Sequence, residues 1–415
     1  MNNESRRVVG VDIGGTKVAA GLVDANGKIL VRNRTPMLTA GAPSNGLLAV
    51  STAIRGLFSD APSQDQIEAI GICAPGPLNP HTGVIINPPN LTIWHNYPLA
   101  EEMRRLYNVH VKVDNDANAA ALAEAKWGAG RGYPNVFYAS VGTGIGTGII
   151  FDGRIYHGRT GAAAEGGHLG IDSSGPLCNC GKRGCIETLA AGPAIARRAQ
   201  QKLAQNRQSL LLEIAGGDLQ AVSSEMVGKA HAAGDPVAKE VMRETLDLLA
   251  YWLGNIIDLL EPDIIVIGGG VSSLLAPFLN EIRQRWQGAC LNPSPLDIPL
   301  ALAHYGEDAG IAGAAALCEL EWTAPRRAIA NALKALVPLR RRPVCPHLRS
   351  KTTTGCRPEL SLLQIRHSEL GPPSPIPFPA RTTALESAQE LWSDLSCRRE
   401  PTRLNKPVCR RRRCR

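Results

Sequence analysis

Two stretches about 127 residues apart repeat one order of elements, and this repeat restricts the fold more than any other feature of the chain. In the first, Arg7–Ile13 reads as an apolar strand, Gly14–Lys17 as a glycine turn and Val18–Val23 as a second strand; Asn26-Gly27 is a hairpin signal before a third strand at Lys28–Arg34. In the second, the strand Val136–Val141 runs into glycine-rich Gly142–Gly148, which overlaps a strand ending at Phe151; Asp152-Gly153 then turns into a short strand at Arg154–His157. A glycine turn leaves backbone N–H groups free and puts no side chain in the way of a phosphate. One such turn is an ordinary hairpin. Two of them, facing each other in a duplicated α/β fold, can cradle a polyphosphate from both sides.

The second constraint is Gly161–Glu187, GAAAEGGHLGIDSSGPLCNCGKRGCIE, which has too few bulky apolar residues to fold by burying a core. Cys178-x-Cys180-x4-Cys185, with His168 ten residues upstream, supplies a Cys3His set suited to tetrahedral Zn2+. Four protein ligands leave no open coordination position, so the metal is expected to be structural. The alternative is three reduced cysteines in a glycine loop. With the metal, Glu165 and Glu187 at the two ends of the stretch are fixed in space and aimed at a ligand.

Between the repeats, Ser44–Phe58 reads as a helix, Ile67–Ala74 as a strand, Asn87–Trp94 as a turn-rich loop in which Asn90 and Trp94 can meet a polar ligand, and Val109–Val113 as a strand. That strand hands over through Asp114-Asn115-Asp116 to an alanine-rich helix, Ala117–Trp127. Asp116 is either a helix N-cap or a carboxylate placed to accept a proton from a substrate hydroxyl. Further on, Pro193–Gln205 and Pro236–Leu260 carry helices; in the latter Met242, Leu246, Leu249, Leu253, Ile256 and Leu260 recur at core spacing. Asp263–Ile267 is a buried-type strand opening onto Gly268-Gly-Gly-Val-Ser272, where a base or ribose can approach the backbone or the chain simply turns. Ala309–Glu321 is a last helix, expected to close back onto the first unit.

At 415 residues and 44% hydrophobic content the chain accommodates two domains, and its longest apolar runs are strand-sized. MNNESRR leads straight into a strand, so the cytoplasm is the expected compartment, with thiols reduced or bound to metal. The net charge of +8 is unevenly spread: residues 323–415 hold 20 Lys and Arg against 6 Asp and Glu, whereas residues 1–322 hold 25 against 31. That tail also has 12 of the 30 prolines and 5 of the 11 cysteines, and outside Ala324–Leu336 it shows no sustained periodicity. It reads as a disordered or non-native chain end, with a basic arm for acidic surfaces as the competing reading.

DIGGTK at 12–17, PPNL at 88–91, NDANAAALAE at 115–124, VGTGIGTG at 141–148, EGGH at 165–168, CNCGKRGCIE at 178–187 and GGG at 268–270 together resemble the ROK family (repressors, uncharacterised reading frames and sugar kinases), most closely its bacterial glucokinases. The resemblance covers Val8 to Leu317 and none of the tail. It implies an actin-like fold of two ribonuclease-H-like domains, 1–118 (completed by a helix near 306–322) and 119–305, with ATP and a hexose in the cleft. It implies that Asp12, Gly14, Gly15, Thr16 and Lys17 form one phosphate loop and Gly142, Thr143 and Gly144 the other, with Gly268 and Gly269 near the adenosine. Asn90, Asn115, Asp116, Glu165, His168 and Glu187 would ring the sugar, with Asp116 the base and His168 also a zinc ligand. The reaction implied is Mg2+- and ATP-dependent phosphorylation of a hexose 6-hydroxyl, glucose first, by a homodimer without membrane or DNA partners. N-acetylmannosamine or N-acetylglucosamine is the rival substrate. Regulators of the family carry an N-terminal helix-turn-helix, and only a few residues precede the first strand here. A silent sugar-binding protein would be expected to lack Asp116 or the phosphate loops.

Overall fold

A computed structural model describes residues 7–58, 67–205 and 208–318, all within one compact unit, Met1–Val337. The tail after Trp322, including the helix expected at Ala324–Leu336, lies outside the described residues, as do the last residues of the helix expected at Ala309–Glu321.

The duplication read from the glycine turns is present as two five-stranded sheets of one topology. Strands β1 (Arg7–Ile13), β2 (Lys17–Asp24), β3 (Ile29–Pro36), β4 (Ala69–Ala74) and β7 (His110–Asn115) lie in the order β3-β2-β1-β4-β7. A small hairpin of β5 (Leu78–Asn79) and β6 (Val84–Ile85) stands apart from this sheet. The second sheet, β8 (Val136–Val141), β9 (Ile145–Phe151), β10 (Arg154–Ile155), β11 (Ile264–Gly268) and β12 (Leu300–Leu302), follows as β10-β9-β8-β11-β12. In each sheet the first three strands are antiparallel and the last two join in parallel. This arrangement explains the composition of the strands. Edge strand β3 alternates along its length because one face is wet, whereas parallel β11, IIVIG, is buried throughout.

The helices are α1 (Pro43–Arg55), α2 (Leu99–Tyr107), α3 (Asp116–Lys126), α4 (Ile186–Ala190), α5 (Gly192–Gln205), α6 (Leu210–Ile214), α7 (Ser224–Ala232), α8 (Pro236–Leu260), α9 (Ser272–Leu275), α10 (Leu279–Gln284) and α11 (Ala309–Ala316). The longest, α8, starts where Asp235 Oδ1 accepts from Ala238 N at 2.7 Å and Pro236 occupies the first turn. Of the expected stripe Met242, Leu246, Leu249, Leu253 and Ile256 are buried and Leu260, the last helical residue, is half-buried; Trp252 meets Phe137 of β8 edge to face at 5.9 Å.

Between the sheets lie two helices poor in large side chains, α11 on the first sheet and α3 on the second, and they also pack on each other. Gly10, Gly21 and Gly71 stand in register across β2, β1 and β4. They clear a path for α11: a Cβ on Gly71 would lie 1.7 Å from the Ala314 carbonyl oxygen, and one on Gly10 2.0 Å from that of Ile311. Gly148 of β9 does the same for α3, where a Cβ would lie 2.7 Å from the Ala117 oxygen. The contact between the helices is as close, since a Cβ on Gly313 would sit 2.4 Å from the Ala119 carbonyl carbon. Among the described residues no helix is long and apolar enough to cross a membrane.

Candidate active site

The site is assembled where β7 hands over to α3. Asn115, not Asp116, caps the helix: its Oδ1 accepts from Ala117 N at 2.9 Å and from Asn118 N at 3.4 Å. Asp116 is thereby the first helical residue, with Oδ1 taking the Ala117 N–H at 2.8 Å. Asp116 is exposed to solvent, yet it stands among enough surrounding protein mass for its carboxyl to be desolvated. That surrounding mass pushes its carboxyl up to about 6, against the Ala117 N–H, and the negative charge of Asp12 adds to the rise. Asp12, at the end of β1, is raised in the same way by burial. Cys73 opposes that rise; its Sγ lies 3.5 Å from Asp12 Oδ1 and 3.3 Å from the Gly310 carbonyl oxygen.

The first glycine turn closes with Gly14 N donating to Lys17 O at 2.9 Å, leaving Thr16 and Lys17 exposed. Asn90 crosses it so closely that a Cβ on Gly15 would lie 2.8 Å from the Asn90 carbonyl oxygen. In the second turn Gly142 N donates to Gly144 O at 2.9 Å, with Thr143 exposed between them. Glu187 Oε2 accepts the Ile145 N–H at 2.9 Å, and a Cβ on Gly144 would come within 2.5 Å of that oxygen. The third glycine segment joins the second turn. Gly269, at φ +85°, leaves no room for a Cβ against the Val141 backbone, and Val271 N donates to Val141 O at 2.8 Å beyond Gly268. The expected phosphate and nucleotide segments therefore divide into one group around Asn90 and another around Glu187.

Glu165 and His168 lie on the loop after β10, in a single turn closed by His168 N donating to Glu165 O at 3.0 Å. The loop rests on β9, where a Cβ on Gly167 would lie 1.8 Å from the Ile145 oxygen. One ligand atom each from His168, Cys178, Cys180 and Cys185 falls within 4.8 Å of all the others. Tetrahedral zinc, with bonds of about 2.3 Å to sulfur and about 2.0–2.1 Å to nitrogen, calls for S···S near 3.8 Å and S···N near 3.6 Å. Cys180 Sγ lies 3.6 Å from Cys185 Sγ, and Cys178 Sγ 3.5 Å from His168 Nδ1. These two separations match a metal of that kind, and with the whole set inside 4.8 Å the remaining edges need at most about 1 Å of closure to hold it.

One expected ligand contact is corrected. Trp94 is 1% exposed, its indole Nε1 donates to Pro43 O at 3.0 Å and its ring stacks on Tyr97, so it belongs to the core beneath the Asn90 loop. Two participants escaped the sequence reading: Cys73 beside Asp12, and His157, whose Nε2 meets Asp114 Oδ2 at 2.6 Å. Neither lies in a pattern, since each pair joins residues distant in sequence.

The chain is 36% identical over 313 residues to a glucokinase of Streptomyces coelicolor, matching 74% of this chain and 96% of that one. It is 31% identical to an N-acetylmannosamine kinase of Escherichia fergusonii over 75% of this chain and 98% of that one. The structure of a ROK family glucokinase from Streptomyces griseus, solved with glucose and AMPPNP, superposes with a TM-score of 0.64 at 33% identity, covering 74% of this chain and 98% of that one. The duplicated sheets are thus those of an actin-like sugar kinase fold. The ROK family model matches residues 8–321, the stretch that holds both sheets, the glycine turns and the Cys3His cluster, and on that match this chain belongs to the ROK family.

Proposed function

We propose that the protein transfers the γ-phosphoryl group of ATP to the 6-hydroxyl of a hexose, with glucose the preferred acceptor. The observation that carries this reading is the placement of Asp116 as the first residue of α3, exposed to a ligand; burial first and the charge of Asp12 with it push its carboxyl up to about 6. A group titrating there is ionised at neutral pH and still basic enough to take a hydroxyl proton.

In the proposed reaction Asp12, Gly14, Gly15, Thr16 and Lys17 hold the triphosphate from one side, and Gly142, Thr143 and Gly144 from the other. Gly268 and Gly269 lie beside the adenosine. Asn90, Asn115, Glu165, His168 and the unshared Oε1 of Glu187 orient the sugar hydroxyls. Asp116 accepts the 6-hydroxyl proton as that oxygen bonds to the γ-phosphorus and the bond to the β,γ-bridging oxygen breaks, releasing ADP. A Mg2+ ion accompanying the triphosphate supplies charge neutralisation. Positioning accounts for most of the remaining rate.

His168, Cys178, Cys180 and Cys185 are proposed to hold one structural Zn2+, which shapes the loop that presents Glu165 and Glu187. His168 ligates through Nδ1 and keeps Nε2 for the sugar. We read residues 1–118 with 306–322, and 119–305, as the two lobes of a cytoplasmic homodimer's subunit. An ADP-release assay over glucose, mannose, fructose, N-acetylmannosamine and N-acetylglucosamine tests the substrate. Highest kcat/KM with glucose is expected; a preference for N-acetylmannosamine would move the assignment to that branch of the family, and no turnover with any of the five would end the kinase reading.

A further inference from the structure

Asp114 is the one member of the Asp114-Asn115-Asp116 triplet without a part in the proposed chemistry, yet it is the most constrained. Its side chain is 5% exposed. Oδ1 accepts from Asn115 N at 2.7 Å and from Asn118 Nδ2 at 3.1 Å, so it holds the peptide that carries the helix cap. Oδ2 meets His157 Nε2 at 2.6 Å.

His157 lies in the loop that leaves the other sheet, two residues beyond β10. It opens the segment 157–165 that ends on Glu165. The far end of this segment is pinned to β9: Thr147 Oγ1 donates to Ala164 O and accepts from Gly166 N at 2.8 Å. The near end leans on the β5–β6 hairpin beside the first sheet. The His81 and His157 rings meet edge to face at 5.6 Å, and a Cβ on Gly161 would lie 2.4 Å from Pro80 Cδ.

We infer that the Asp114–His157 contact is a positioning device that sets the two halves of the hexose site at their working separation, Asn115 and Asp116 on one side and Glu165 and His168 on the other. The inference rests on the hexose-kinase reading. The cores do not depend on this contact, because each sheet has its own buried cluster and the α3–α11 seam joins them at backbone distance. Losing it shifts one half of the site relative to the other, and a misplacement of about 1 Å costs on the order of 100-fold in rate.

The test is steady-state kinetics of the full chain, at a temperature well below unfolding, for His157→Ala, His157→Gln and His157→Leu. Expected are a fall of about 10- to 100-fold in kcat/KM for the hexose in the alanine variant and an ATP KM within about twofold of wild type. The glutamine variant, whose amide can donate to Asp114 Oδ2, recovers most of the loss; the leucine variant, which fills the space without a donor, does not. Wild-type hexose kinetics in a folded His157→Ala protein overturns the inference. So does equal recovery by leucine and glutamine, an equal loss for both substrates, or an alanine variant that does not fold. A wild-type protein that phosphorylates no hexose refutes the kinase reading and the inference with it, whereas an active wild type with unaffected variants refutes the inference alone.

Discussion

If Asp116 is the base, the acid side of the rate profile belongs to it. The perturbation is pH alone. With its carboxyl at about 6, Asp116 is about one-tenth ionised at pH 5, whereas an unperturbed carboxyl at 3.8 is more than nine-tenths ionised there. The rate should therefore fall about tenfold for each pH unit below 6, a loss an ordinary aspartate would delay by two units. Measured with both substrates well below their KM values, the rate reports the free enzyme, which is the state described. Direct quantification of ADP avoids the pH limits of coupling enzymes. Asp12→Asn removes a charge that raises Asp116, so whatever it does to the maximal rate, it should move the acid limb to lower pH. Stability gives an independent sign. The folded protein binds the Asp116 proton more tightly than the unfolded chain, so between about pH 4 and pH 6 stability from this group decreases as pH rises, and above 6 the loss is complete. Asp116→Asn should therefore lower kcat by about 10²–10⁴-fold while raising Tm at pH 8, the gain shrinking toward pH 4. A rate at pH 5 within twofold of that at pH 7.5, in protein still folded by circular dichroism, refutes the assignment.

Three further outcomes follow from packing and ligation. Gly71→Ala puts a Cβ 1.7 Å from the Ala314 oxygen and should destabilise the protein by about 3 kcal/mol or more in urea unfolding, since neither backbone can yield cheaply; a change under about 0.5 kcal/mol would mean α11 does not lie on that glycine. Elemental analysis of the wild type should find one zinc per chain, and Cys180→Ser should release it, lowering Tm and hexose affinity before ATP affinity; metal-free wild-type protein of normal stability would contradict this. Trp94→Phe loses the bond to Pro43 O and should cost about 1 kcal/mol of stability with both KM values unchanged, whereas a raised hexose KM would restore Trp94 to the site.

What could be read from sequence was what neighbouring residues determine among themselves. The strands of both units and the α8 stripe follow from local alternation and spacing, and the Cys3His cluster from ligands within 18 residues of one another. What tertiary contact decides was not legible. Helix α2, LAEEMRRLY, is nine residues long and starts at Pro98 without a side-chain cap, so its signals are the weak ones: Glu101 and Glu102 in the first turn, Arg104 and Arg105 in the last. Strand β12 is three residues long and is a strand because β11 pairs with it. Trp94 sits in a loop of turn formers and looks exposed for that reason, but the loop folds back on α1 and covers it. Asp114 lies in β7 and His157, 43 residues on, in the loop after β10, and no periodicity links them.

The glycine seam and the proposed base are one structural problem. Gly10, Gly21 and Gly71 let α11 settle on the first sheet, and Gly146 and Gly148 let α3 settle on the second, where a Cβ on Gly146 would lie 3.1 Å from that of Ala117. Because both helices sit at backbone distance from their sheets and from each other, their N-terminal ends converge on the end of β1. A Cβ on Gly310, at the start of α11, would lie 2.4 Å from Asp12 Cγ, and Asp116, at the start of α3, lies close enough for the Asp12 charge to raise it. Bulkier residues under either helix would separate the two carboxylates, and with distance the repulsion from Asp12 that helps hold Asp116 above the ordinary range would weaken. The small residues of the seam thus act on the chemistry through charge spacing, which is why substitutions there should move the acid limb of the rate profile as well as the stability.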